Sequence, residues 1–238
     1  MIHSNFIWAD LSTYNITKSI KFYSTVFNWE LSDSEEYAIA KVDNSLQAGI
    51  FPMPEYLKKI NMPHFWMSYF QVNSTAQAVA QAKALNGIIE VKNTKFNNGN
   101  IALIRDPQGA GFTVYDGNEL YLNKNTKHGS IISTELHVSN IDNVLSFYSQ
   151  LFNWNLEKIN EKTYKVKSYQ KHIPIKIIEL TNKLKGQYEY WVTTIKVDDL
   201  KISTKDIINN GGKLISKEIN RNLLFDNSGE AFFYIAED

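Results

Sequence analysis

The chain has 238 residues, with 25 Lys and Arg against 25 Asp and Glu, and no Cys. That length suits one large domain or two ordinary ones with real cores, and 43% hydrophobic with 21% charged residues belongs to a folded chain. Charge balance argues against a nucleic-acid partner, missing Cys removes disulfides, thiolate metal sites and a thiol nucleophile, and no apolar run is long enough for a membrane span. The start MIHSNFIWADL has no basic segment leading into an apolar one, so a cytoplasmic protein is expected.

In chain order, residues 6–12 read as a strand and 16–27 as a helix, whose Ile16, Ile20, Tyr23 and Phe27 form an apolar stripe at steps of three and four. Short strands follow near Glu30, Tyr37 and Gln47. A second strand (65–72) leads to a helix over 75–85, which Ser74 or Thr75 can cap and Gly87 can end in a left-handed conformation. Strands near Ile88, Ile101 and Phe112 complete that part, and the polar stretch 118–127 reads as a linker. The order then repeats, with helices near 141–152 and 200–209, the latter closed by Gly211-Gly212.

The repetition extends to side chains. Phe22-Tyr23 recurs as Phe147-Tyr148, Phe27-Asn28-Trp29 as Phe152-Asn153-Trp154, Trp66 as Trp191 and Gly87 as Gly212, all 125 residues apart. Asp106, Gly109 and Phe112 recur as Asp226, Gly229 and Phe232, now 120 apart. Anchors in register over the full length make this a tandem duplication. The reading is an α+β chain of four βαβββ units, with domains at 1–120 and 128–238.

Four such units, a Phe-Tyr in the first helix, a Phe-Asn-Trp after it, Asp-Pro-Gln-Gly at 106–109 and the opening phrase Trp8-Ala9-Asp10-Leu11-Ser12-Thr13 resemble the vicinal oxygen chelate superfamily. That group includes glyoxalase I, bleomycin-resistance proteins and extradiol dioxygenases. The resemblance implies two tandem glyoxalase-like domains, each a cup-shaped mixed sheet with helices outside and a ligand cavity inside. Many members hold a divalent metal there with His and Glu from first and last strands; others bind small molecules without one.

Strand parity tests which case applies, because alternate side chains face opposite ways. With Ile7, Ala9 and Leu11 toward the helix, Trp8, Asp10 and Ser12 point into the cup, and the superfamily's first His position falls on Trp8. The later positions fall on Met67, or Trp66 if the register slips by one, and on Thr113 in the first half; the three positions of the second half fall on Ser133, Val192 and Phe233. Indole and thioether are poor partners for such cations, so no metal and no other cofactor is expected. Glu135 and His137 share cup-facing parity, and Glu179 joins them if Ile178 and Leu180 face the helix. Their other reading is a mutual hydrogen bond and an exposed edge carboxylate. Asp10 recurs as Glu135, and a carboxylate on an inward face needs a partner.

The candidate ligand-binding set is therefore Trp8, Asp10, Met67, Tyr69, Thr113, Tyr115, Glu135, His137, Glu179 and Phe233, with no catalytic residue assigned. Trp8, Tyr69 and Tyr115 can stack on a planar ligand or fill the cup as core. His3, His64, His128 and His172 read as strand-entry, helix-facing or loop residues. The expected function is metal-free binding of a mainly apolar or aromatic small molecule by a monomer or homodimer. The alternatives are a metal-dependent lyase, isomerase or dioxygenase, and a protein-interaction module.

Overall fold

The computed structural model describes residues 4–32, 34–96, 98–122, 126–167 and 173–237. His3, His172 and residues 123–125 of the expected linker lie outside them.

The first βαβββ module consists of β1 (Phe6–Thr13), α1 (Ile16–Phe27), β2 (Glu30–Leu31), β3 (Ala38–Val42) and β4 (Ser45–Pro52), followed by a single turn, α2 (Glu55–Lys58). The second holds β5 (Phe65–Gln71), α3 (Thr75–Ala84), β6 (Ile88–Phe96), β7 (Gly99–Arg105) and β8 (Gly111–Tyr115). The third holds β9 (Ile131–Val138), α4 (Asp142–Phe152), β10 (Leu156–Asn160), β11 (Thr163–Val166) and β12 (Ile175–Glu179), then the turn α5 (Asn182–Lys185). The fourth holds β13 (Tyr190–Lys196), α6 (Leu200–Asn209), β14 (Lys213–Lys217), β15 (Arg221–Phe225) and β16 (Phe232–Ala236). The expected order thus recurs four times. Strands form two eight-stranded mixed sheets, ordered β2-β3-β4-β1-β5-β8-β7-β6 and β10-β11-β12-β9-β13-β16-β15-β14. No helix among the described residues is long and apolar enough to cross a membrane.

Local chemistry sets the helix limits. Side chains of Asn15, Ser74 and Asp199 accept from the free backbone N–H of Lys18, Gln77 and Ile202, which starts α1, α3 and α6. Asn28 and Asn153, the middle residues of the repeated Phe-Asn-Trp, adopt φ of 55° and 53° and end α1 and α4. The reversal returns Trp29 and Trp154 to stack on Tyr23 and Tyr148 at ring separations of 5.2 and 5.9 Å. At the end of α3 the left-handed residue is Asn86 (φ 65°), not Gly87. Gly87 serves another need, because a Cβ there would press on the Ala82 carbonyl and the Phe147 ring.

Two compact units can be distinguished, and each takes one module from either repeat: residues 8–67, 122–133 and 192–238 in one, residues 1–7, 68–121 and 134–191 in the other. In the former, the Tyr23 hydroxyl of α1 donates to Asp226 at 3.2 Å, Trp66 meets its ring edge-on, and Phe233 packs on Phe27. In the latter, the Tyr148 hydroxyl of α4 donates to Asp106 at 3.0 Å and accepts from the Trp191 indole at 3.3 Å, while Phe112 packs on Phe147 and Phe152. The repeated Phe-Tyr, Trp and turn Asp are therefore one device built twice: a helix tyrosine tied to a buried turn carboxylate. Burial and the neighbouring carboxylates push both tyrosines well above their ordinary range.

Candidate functional site

On β1 the hydroxyls of Thr13 and Ser19 meet at 2.9 Å, which marks Thr13 as facing α1 and leaves Trp8, Asp10 and Ser12 on the opposite face. Asp10 is 2% exposed. Its Oδ1 accepts from the Trp8 indole at 2.7 Å and from the Tyr37 hydroxyl at 2.7 Å. Tyr37, only partly buried, is the member of this trio that reaches the surface. Burial, then the Asp10 charge, drives the Tyr37 phenol up, so it stays neutral and donates.

Register makes room for the trio. Asp10 lies beside Gly49 of β4, and a Cβ at Gly49 would fall on both Asp10 Oδ1 and the Tyr37 hydroxyl. Gly49→Ala is expected to lower stability by about 1–3 kcal/mol through overpacking, measured as a reduced urea midpoint. An unchanged midpoint would show that Tyr37 does not occupy this space.

The equivalent carboxylate, Glu135 on β9, is 1% exposed and has a different partner. His137, fully buried, brings Nε2 to 2.6 Å from Glu135 Oε1 and Nδ1 to 3.2 Å from the Tyr190 hydroxyl. An ionised carboxylate only accepts, so Nε2 carries the hydrogen, and Nδ1 of the neutral ring accepts from Tyr190. Burial, then the charges of Glu135 and Glu189, raises the Tyr190 phenol. Glu189 is held by the backbone N–H of Ser139 at 2.8 Å and by the buried Lys185 ammonium at 3.0 Å. Again the tyrosine is the partly exposed member.

Two expected site residues lie elsewhere. In β12, Ile178 pairs in register with His137 and Glu179 with Val138, so Glu179 is on the helix side. There Glu179 accepts from the backbone N–H of Ile141 at 3.1 Å, serving α4, whose own N-cap residue has no capping side chain. Phe233 is also on the helix side, against Tyr23 and Phe27. The turn before β16 holds one residue more than that before β8: Asp106 closes onto the Ala110 carbonyl, whereas Asp226 closes onto Ala231. One added residue reverses strand parity, so Tyr234 takes the place expected for Phe233. The guanidinium of Arg221 lies 3.9 Å from the Tyr234 ring.

Tyr69 and Thr113 are in-register neighbours on β5 and β8, both buried. Tyr115 is fully buried, edge-on to Phe96, with its hydroxyl accepting from the Glu119 backbone at 3.4 Å. Met67 is partly buried. Of the expected set, Trp8 joins Asp10 and Glu135 joins His137. Tyr37 and Tyr190 are additional members, and mid-strand Gly49 was a sequence signal for the former, since such a glycine often marks close approach of another group.

These donors do not fit a divalent metal. The positions implied by the superfamily hold Trp8, Met67 and Thr113 in the first repeat, and Ser133, Val192 and Tyr234 in the second. Asp10 is engaged by indole and phenol, Glu135 by imidazole, and a guanidinium covers Tyr234. Among the described residues no three His, Asp or Glu gather as a metal site would require.

Comparison with known proteins agrees with this architecture. Residues 6–114 match the family model of the Glyoxalase/Bleomycin resistance protein/Dioxygenase superfamily. Proteins named "Putative glyoxylase CFP32" from Mycobacterium bovis and Mycobacterium tuberculosis are 26% identical over 149 residues, which cover 59% of this chain and 57% of theirs. The match thus spans little more than half the length of these curated relatives. The Mn(II)-bound glyoxalase from Novosphingobium aromaticivorans superposes with a TM-score of 0.66 at 11% identity, covering 98% of this chain and 82% of that one. The 2,3-dioxygenase LapB from Pseudomonas sp. KL28 gives 0.60 at 13% identity, covering 98% and 93%. At such identities the likeness concerns fold alone.

Proposed function

We propose that this chain, whose residues 6–114 match the model of the glyoxalase/bleomycin resistance/dioxygenase superfamily, binds a small, mainly apolar or aromatic organic molecule without a resident metal. One observation carries this reading: each first-strand carboxylate is buried and hydrogen-bonded inside a module, and a partly exposed tyrosine leads to it. Such a site offers an aromatic surface with a polar anchor behind it, the usual make-up of a pocket that orients small ligands. Fold alone does not select between binding and catalysis in this superfamily, so the side chains must.

A thermal-shift screen against planar aromatic compounds tests the proposal. A ligand at a hundredfold excess over its Kd stabilises by about 2.7 kcal/mol, which raises Tm by several degrees. The shift is expected to shrink in Tyr37→Phe or Tyr190→Phe; silence across the screen counts against binding. Elemental analysis addresses the metal-dependent lyase, isomerase or dioxygenase that the superfamily also contains. Stoichiometric Ni, Zn, Mn or Fe, lost in Glu135→Ala and His137→Ala, would establish that alternative.

A further inference from the structure

The two carboxylate clusters are equivalent in position yet not in chemistry. Asp10 meets two neutral donors that hold their protons, Trp8 and Tyr37. Glu135 meets an imidazole, which can take a proton, and behind that imidazole stands a phenol. We infer that Glu135, His137 and Tyr190 form a metal-free proton relay, with Tyr190 as the catalytic residue that touches a substrate bearing a weakly acidic hydroxyl, such as an enol or a phenol. This goes beyond the binding proposal but rests on it, because the hydroxyl must first be seated beside Tyr190.

The geometry assigns the direction of transfer. Glu135 Oε1 orients His137 through Nε2–H, so Nδ1 presents its lone pair to the Tyr190 hydroxyl. A substrate hydroxyl placed against the Tyr190 oxygen gives its proton to that oxygen as the phenolic proton passes to Nδ1. The substrate leaves this step as an oxyanion, Tyr190 is again a neutral phenol, and His137 is an imidazolium whose charge the Glu135 carboxylate offsets. Returning the proton reverses the two transfers, so the relay is restored without any external oxidant or reductant. Burial and the charges of Glu135 and Glu189 disfavour a standing tyrosinate, which suits Tyr190 to pass a proton on rather than keep the negative charge.

The surroundings hold the relay in place. Glu189 is anchored by Ser139 and by Lys185, which also donates to the Tyr188 carbonyl at 2.9 Å. Lys176 of β12 lies in register beside Glu135. Among the described residues, the titratable groups around His137 include Glu135 and Tyr190, which touch it, and Glu189 and Lys185 beyond Tyr190. Since His137 and Glu135 are shielded from solvent and Tyr190 is not, a substrate proton enters or leaves through the tyrosine.

A chromogenic phenol reads this directly. 4-Nitrophenol is titrated in the presence of the full chain, and ionisation of the bound probe is followed by its visible absorbance. The expected result is ionisation about one pH unit lower than for the free probe, a tenfold shift in the equilibrium. Tyr190→Phe and His137→Gln, titrated at probe concentrations high enough to saturate their weaker binding, are expected to abolish that shift, with thermal melts confirming that they fold. If His137→Gln does not fold, Tyr190→Phe decides, since it removes one oxygen from a partly exposed ring. A probe that binds without the shift, or a shift that persists in Tyr190→Phe, overturns the relay and leaves small-molecule binding intact. Failure of the probe to bind when the thermal-shift screen finds other ligands does the same, whereas silence in both removes both proposals.

Discussion

Asp106→Ala is expected to lower stability by about 3–5 kcal/mol, because the buried carboxylate is the acceptor for several donors at once. Its Oδ1 receives the backbone N–H of Gln108, Gly109 and Ala110, and its Oδ2 receives the Tyr148 hydroxyl. Truncation strands these donors in a turn where Asp106 itself is fully buried. Urea unfolding of the single variant measures the loss, and a change under about 1 kcal/mol would mean that water replaces the carboxylate. The same residue makes stability depend on pH. Burial pushes the Asp106 carboxyl from 3.8 up to about 6, against the pull of those bonds. Between about pH 6 and 4 the native state therefore holds a proton that the unfolded chain releases, so stability rises as pH falls through that window. The gain reaches about 3 kcal/mol by pH 4 for a difference of roughly two units. Asp226, raised by burial in the same direction, adds to it. Asp116 acts oppositely and lower: despite burial, bonds from Thr75 and Asn100 hold its carboxyl below 3.8, so its contribution is present above that value and is lost in stronger acid. Wild-type urea midpoints at pH 7 and pH 5 should show the rise, and Asp106→Asn should flatten it.

Breaking the Glu135–His137 hydrogen bond from one side is expected to cost about 3–5 kcal/mol, because it leaves the Glu135 carboxylate buried without the donor that compensates its charge. His137→Leu leaves the Glu135 carboxylate without its imidazole in a site that is 1% exposed. The double variant Glu135→Leu with His137→Leu is expected to recover most of that loss, because neither polar group is then stranded. A double-mutant cycle from urea midpoints gives the coupling directly. Additive losses would mean that the two side chains do not depend on each other, contrary to their 2.6 Å contact. Recovery of stability would also show that the pair is not retained for stability, which is the pattern expected of groups kept for their chemistry.

The repeat explains why so much of the architecture could be read from residues alone. Anchors recur 125 residues apart, or 120 for the turn Asp, because each compact unit needs the same parts: a left-handed Asn to end the helix, a Trp to return onto the helix Tyr, and an Asp to receive that tyrosine's hydroxyl. These are local or periodic demands, and they leave local or periodic marks. Trp8, Asp10, Glu135 and His137 were legible for the same reason, since two-residue alternation along β1 and β9 states which side chains share a face.

Other assignments depended on register between strands, which composition and periodicity do not encode. Glu179 was expected beside His137, yet the pairing of β12 with β9 sets Ile178 there and turns Glu179 toward α4. Phe233 was expected on the inner face, but one additional residue between Asp226 and β16 turned it toward α1 and brought Tyr234 beneath Arg221. Tyr37 lies outside any strand and joins Asp10 only because Gly49 leaves a gap where a side chain would be. Fold, duplication and the inward acidic residues follow from patterns along the chain. The partners of those acids follow from how strands slide against one another, because a shift of one residue exchanges every face and few residue types forbid it.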